Sequence, residues 1–238
     1  MGTISVEHGD RLFWLGRYTE RAYTTIKSLE KLYDRTIDSG HEEYRDYLAA
    51  FGLNDTYGGR EDFFRSFIFD GENPSSVAAS LVKAYDNGIV LREEISTEAL
   101  SFLQMAMDRL EHISHSSKAL CLSLLSLVDI IFGFWGCLGE NVYDEEIKTI
   151  IECGKYVERL DLNLRLKCPF SMVEREFGRL CTNLRKVPKN TPYRYNTNQL
   201  CTLVELMGMG ENYTESKEEA ISALGRLFEP VKRTVLAG

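Results

Sequence analysis

Leu12-Phe13-Trp14-Leu15-Gly16-Arg17-Tyr18-Thr19-Glu20-Arg21 comes back, altered but in register, as Ile150-Ile151-Glu152-Cys153-Gly154-Lys155-Tyr156-Val157-Glu158-Arg159. Each copy has an apolar lead, then Gly, a cation, Tyr, any residue, Glu and Arg. The offset from Gly16 to Gly154 is 138 residues. One copy alone would read as solvated helix charge with i, i+4 pairs of small value. Two copies in register point to a structural or site role.

Around the first copy, Leu12, Leu15, Tyr18, Ala22, Ile26, Leu29 and Tyr33 fall at i, i+3, i+4 spacing. This stripe predicts a helix over 10–37 with Asp10 as its N-cap. At 100° per residue, Glu20 lies nearly opposite the stripe, flanked by Arg17 and Arg21, with Gly16 one turn before it. Asp144 opens a second motif helix over 144–167, which stops at Pro169 and places Lys155, Glu158 and Arg159 the same way. A small residue one turn before each Glu admits a close neighbour. A Glu from each copy, bridged by an Arg from the other, makes a pseudo-symmetric polar cluster. Buried, the cluster fixes the register of the bundle. Open to a cleft, it recognises a charged ligand or partner, or supplies a carboxylate acid/base, with Glu20, Glu158 and Glu98 as candidates.

Outward from the motifs the chain reads as all-α, one helical domain over 1–238 with a diverged internal repeat. Helices are predicted over 42–51 and 61–69. Asn73-Pro74 opens the next, with Asn73 as cap and Pro74 at the first helical position, continuing to Ile95. Ser96-Thr97-Glu98 restarts helix to His112, and Ser116 or Ser117 caps the one after. That next helix, 119–138, is apolar almost all round. It is long enough to span a bilayer, but Asp129 near its middle and its amphipathic neighbours favour a buried central bundle helix. C-terminal helices occupy 171–236: one to Leu184, a loop over 187–195, one from Asn196 to Met207 ended by Gly208, and a last one with a Ser216/Glu219 capping box running past Leu227. Arg92-Glu93-Glu94-Ile95-Ser96-Thr97-Glu98 reads as a helix end with its cap; as a site, Arg92, Glu94 and Glu98 join the motif residues.

The chain has 28 basic and 36 acidic residues, net −8. That argues against nucleic acid and against an anionic membrane as partners. Cys121, Cys137, Cys153, Cys168, Cys181 and Cys201 form no C-x-x-C and read as buried reduced thiols. No Glu-x-x-His surrounds any of the four histidines, His8 and His41 included, so no di-iron site, no other metal and no cofactor is expected. Residues 1–10 lack an apolar h-region, consistent with a cytoplasmic protein. Arg165, Lys167, Arg175, Arg179, Arg185, Lys186, Lys189 and Arg194 outnumber Glu174 and Glu176, so this stretch is either a solvated face or a dock for an acidic partner or phosphate.

Four segments resemble the bacterial alpha-E family of helical proteins, named for a recurring Glu-Arg motif. They are Leu12–Arg21, Asn73-Pro74-Ser75-Ser76-Val77, Asn87 with Arg92 and Ile95-Ser96-Thr97-Glu98, and Gly154–Asp161. Lys155 stands where that family carries Arg, and Leu100 where it carries Trp. The resemblance implies a protein that accompanies circularly permuted ATP-grasp and transglutaminase-like proteins, in a system forming peptide or amide bonds. It makes the chain a non-catalytic helical partner or substrate-binding subunit, with an ATP-grasp-type protein and a peptide as partners. The alternatives are an enzyme of the same pathway and a purely structural protein. In each, the residues in question are Arg17, Glu20, Arg21, Arg92, Glu94, Glu98, Lys155, Glu158 and Arg159.

Overall fold

A computed structural model describes residues 4–39, 43–115, 120–188 and 193–228. These form eleven α-helices and a 3-10 helix, with no strand among the described residues. The helices are α1 (Val6–Ser39), α2 (Tyr44–Ala50), α3 (Arg60–Phe69), α4 (Val77–Val90), α5 (Arg92–Ile95), α6 (Thr97–Ser114), α7 (Leu120–Asn141), α8 (Glu145–Arg165), α9 (Phe170–Leu184), α10 (Thr197–Met207) and α11 (Lys217–Gly225). The 3-10 helix, Gly210–Ser216, runs directly into α11. The expected caps at Ser116 or Ser117, the residues from 229 on, His41 and Lys189 lie outside the described residues.

The long helix α1 is the axis of the bundle and packs on α8, α4 and α7. Two apolar cores meet along it. Leu12, Phe13 and Leu15 join the core built with α8, α9, α10 and α11. Ala22, Ile26, Leu29 and Leu32 join the other, built with α2, α3, α4, α6 and α7. Arg17, Glu20 and Arg21 therefore lie at the seam between them. Leu12, Leu15, Ala22, Ile26 and Leu29 of the expected stripe are buried, while Tyr33 is exposed.

Several local expectations are corrected. α1 begins at Val6, four residues before Asp10. Ser5 caps it by accepting from the His8 amide (3.1 Å), and Asp10 sits inside the helix. Ser76, not Asn73, caps α4 by accepting from the Ala79 amide (2.9 Å); Asn73 holds the turn before it through the Ser75 amide. Helix does not continue unbroken to Ile95: it stops at Leu91, and after α5 Ser96 takes φ 76° and accepts from the Ala99 amide as the cap of α6. The Ser216/Glu219 capping box does not form, because the chain enters α11 already coiled, and α11 ends at Gly225. Asp144 and Asn196 cap α8 and α10 as their sequences imply.

The apolar helix α7 is not central. It packs on α6 and α1 and leaves Leu125, Asp129, Phe132, Gly136 and Glu140 in an exposed stripe. By length and composition Ser123–Asn141 could cross a membrane. Its Asp129 and Glu140 face outward, which places the helix at the edge of the bundle. Among the described cysteines only Cys153 is buried, and Cys201 is exposed. Burial pushes the Cys153 thiol up, so it stays protonated and inert.

Candidate functional site

The two motif copies meet each other. A Cβ on Gly16 would lie 2.0 Å from the Ile151 carbonyl oxygen, and one on Gly154 would lie 2.1 Å from that of Phe13. These contacts are exchanged copies of one contact under the 138-residue offset. Glycine at both positions lets the backbones of α1 and α8 come within a distance that any side chain would forbid.

One turn on, the charges cross. Glu158 accepts from Arg17 Nε (2.8 Å) and from Arg21 Nε and Nη2 (2.6 and 2.9 Å). Glu20 accepts from Arg159 Nε at 2.5 Å. The Arg21–Glu158 pair thus has its counterpart in Arg159–Glu20. Arg17–Glu158 has none: Lys155, which stands in the Arg17 position of the second copy, lays its ammonium over the Trp135 ring instead. Glu20 Oε2 is left without a hydrogen-bond partner among the described residues. Aromatic faces complete the setting, with the Arg17 guanidinium 4.9 Å from the Trp14 ring centre and that of Arg21 5.7 Å from Tyr18.

This asymmetry separates the two carboxylates. Burial raises the pKa of Glu158, but the guanidiniums of Arg21 and then Arg17 outweigh it and hold it down at about 2. Glu20 is fully buried with one guanidinium, and burial wins: its pKa is raised, against the lowering effects of Arg159 and Lys155. Burial likewise lowers the pKa of Lys155, with Glu20 opposing.

The third charged segment does not join them. Arg92 is exposed and pairs with the adjacent Glu93 at 3.8 Å; Glu94 meets His8 Nδ1 at 3.0 Å; Glu98 is exposed in the first turn of α6. The expectation of Arg92 and Glu98 as neighbours of the motif cluster is corrected. The break at Ser96 turns this segment to the surface, where its charges serve helix ends.

A residue the sequence reading passed over does join. Glu176 is 3% exposed and lies 3.0 Å from Arg175, 3.1 Å from Arg179 and 4.0 Å from Arg159. It ties α9 to the second motif. The available signal was a Glu in the middle of an apolar stripe, between Val173 and Leu180 at helical spacing.

Arg159 and Glu176 also reach the wall of a cleft of about 850 Å³ between the later half of α1, α2, the end of α8 and the start of α9. Eight basic side chains line it against three acidic ones, in a chain of net −8. Lys27, Lys31 and Arg35 come from α1, Arg165 and Lys167 from the end of α8, and Arg175 from α9. Part of the basic stretch after Leu162 is therefore one wall of this cleft. Most of these cations are already paired: Lys27 with Glu30, Arg35 with Glu43, Arg165 with Asp161 at 2.7 Å, and Arg175 with Glu176. Lys31 and Lys167 have no ion-pair partner among the described residues. α8 ends at Arg165 with Leu166 as its cap, and Lys167 follows with φ +50°: its amide donates to Leu164 O (3.2 Å) and the Cys168 amide to Asn163 O (3.0 Å), the bonding of a glycine-type helix end made with a lysine.

No curated protein sequence and no solved structure matches this chain. The family model that does match is Alpha-E, described as a predicted alpha-helical domain with a conserved ER motif, and it covers residues 7–225. The Glu20-Arg21 and Glu158-Arg159 pairs that clamp α1 to α8 are two such ER dipeptides, and the match takes in nearly every described helix: the chain belongs to the Alpha-E family.

Proposed function

We propose that this chain is a non-catalytic helical binding subunit of a bacterial, cytoplasmic system that forms peptide or amide bonds, acting beside an ATP-grasp-type protein. One observation carries the reading: the motif glutamates are enclosed, Glu20 at 0% and Glu158 at 6% exposure, and their oxygens face arginines of the opposite helix. A carboxylate held at about 2 by two guanidiniums takes no proton near neutral pH. A fully buried one touches no substrate. The motif is then spent on holding α1 against α8, and what stays open for recognition is the basic cleft beside it. The genomic company implied by the family resemblance supplies the ATP-grasp partner and a peptide as the passenger.

Co-purification with the neighbouring ATP-grasp protein, followed by ATP turnover with and without this chain, tests the proposal. A stable complex with altered turnover is expected. Absence of a complex together with unchanged turnover would overturn it. Product formed by this chain alone, and abolished by Glu20→Gln without loss of the thermal midpoint, would move it to the enzymes.

A further inference from the structure

We infer that the basic cleft holds an extended acidic peptide segment, with Lys31 and Lys167 as the two lysines that meet its carboxylates. The inference rests on the binding-subunit reading and gives it a substrate class.

Lys31 is exposed on α1 and Lys167 is exposed at the end of α8, so the two approach the cleft from different helices. The other cations that line it are largely matched by carboxylates of the chain itself. These two have no ion-pair partner among the described residues, and a pair of uncompensated lysines brought to one cleft from two helices recognises negative charge supplied from outside. Lys167 strengthens the point. Its backbone occupies the left-handed conformation that favours glycine, and a Cβ there is strained. A lysine at that position keeps a cation at the cleft mouth at a cost in stability, the pattern of residues held for binding.

Spacing favours a peptide over a single phosphate. Lys27, Lys31 and Arg35 stand one turn apart on α1, about 6 Å per step along the helix axis. Alternate side chains of an extended chain stand about 6.6 Å apart. A segment with acidic residues at every second position therefore presents carboxylates at nearly the pitch of the cations. A phosphate needs donors that converge on one point, whereas the three α1 cations are strung along their helix. Lys27 and the arginines lining the cleft are engaged by internal carboxylates, which leaves Lys31 and Lys167 to set its charge.

The test is fluorescence anisotropy of a labelled Glu-Ser-Glu-Ser-Glu-Ser peptide against the full chain, with Lys-Ser-Lys-Ser-Lys-Ser as the reverse-charge control. Saturable binding of the acidic peptide alone is expected, falling with salt as exposed charge pairs do. Lys31→Glu and Lys167→Gly should each weaken it about tenfold or more, while Lys83→Glu, on another face, leaves it unchanged. Lys167→Gly relieves backbone strain, so lost binding in that variant is not lost folding. No binding, binding indifferent to both cleft variants, or displacement by inorganic phosphate at the peptide's own concentration would each overturn the inference. Peptide binding without an ATP-grasp complex would sink the proposed function and leave this inference standing; a complex without peptide binding would do the reverse.

Discussion

The ammonium of Lys155 lies 3.9 Å from the centre of the Trp135 ring, where its counterpart in the first motif, Arg17, bonds a glutamate across the interface. A single Arg-to-Lys difference at corresponding positions thus accounts for the asymmetry of the cluster. Glu158 has two guanidiniums and Glu20 has one, because a compact ammonium cannot make the forked contact that a guanidinium makes. Lys155→Arg should supply the missing donors to Glu20 Oε2, pull the Glu20 pKa down, and raise stability by about 1 kcal/mol, the usual worth of satisfying a buried acceptor. Urea melts at neutral pH measure the gain; a loss would mean that the stacking on Trp135 is worth more than the new bonds.

Gly16→Ala and Gly154→Ala test the close approach. Either methyl would collide with a backbone carbonyl of the other helix at 2.0 or 2.1 Å, and a carbonyl in a helix cannot swing aside as a side-chain tip does. Each substitution forces α1 and α8 apart and strains the cluster one turn on. Each should cost about 3 kcal/mol or more, at the upper end of single-site effects. Gly136→Ala, where nothing lies within 4 Å of the added methyl, should be neutral or stabilising because it removes a glycine from a helix interior.

Neutralising the two motif glutamates should give unequal results. Glu158→Gln leaves two guanidiniums facing an amide in a nearly closed site, and breaking a buried pair in this way costs about 3–5 kcal/mol. Glu20→Gln removes a carboxylate that burial already opposes and leaves Arg159 with Glu176 at 4.0 Å, so its cost should be no more than about 1–2 kcal/mol. Chemical denaturation of the two variants side by side checks the order. Equal losses would count against the account of the asymmetry.

The same contrast fixes the dependence on pH. The folded pKa of Glu158, about 2, lies below the ordinary 4.5, so the unfolded chain binds the extra proton between those values. Its contribution is complete above pH 4.5 and is lost as pH falls toward 2, by about 3 kcal/mol in all. Glu20 runs the other way. Its folded pKa is raised, so its contribution is complete below 4.5 and is lost as pH rises through the folded value. Denaturation from pH 2 to 7 should show Glu158→Gln losing most of the acid-side slope, and Glu20→Gln keeping that slope while losing the opposing decline above pH 4.5.

How much of this was legible in the sequence depended on whether the signal was local or reciprocal. Gly16, Glu20 and Arg21 recur at one offset as Gly154, Glu158 and Arg159, and a repeated spacing of small and charged residues predicts a crossing with exchanged salt bridges. Asp144 and Asn196 announced their helices because an N-cap bonds within its own turn. Asn73 and Ser216 misled for the same reason: both can bond locally, and only the neighbouring turn or 3-10 helix decides whether they cap. Hydropathy misplaced α7, since composition cannot separate a central helix from an edge helix carrying one exposed stripe. Of the cleft, only the wall that carries Arg165, Lys167 and Arg175 showed in the sequence, as an excess of basic residues; the α1 wall facing it did not. Lys31 and Lys167 are 136 positions apart, and neither sits in a pattern that names the other.

Lys167 offers a separate check on the fold. The end of α8 is closed by bonds to the Leu164 and Asn163 carbonyls that demand the left-handed backbone at position 167. A side chain there meets its own peptide group; glycine does not. Lys167→Gly should therefore raise stability by about 0.5–1 kcal/mol, the strain relieved less the extra freedom glycine has when unfolded. Lys167→Ala keeps the Cβ and so keeps the strain, and should leave stability within about 0.5 kcal/mol of the parent, as a surface change does. Thermal and urea melts of the pair separate backbone from charge. If alanine stabilises as much as glycine, the gain comes from removing a cation among cations rather than from the turn, and the reading of Lys167 as a residue kept against backbone strain falls.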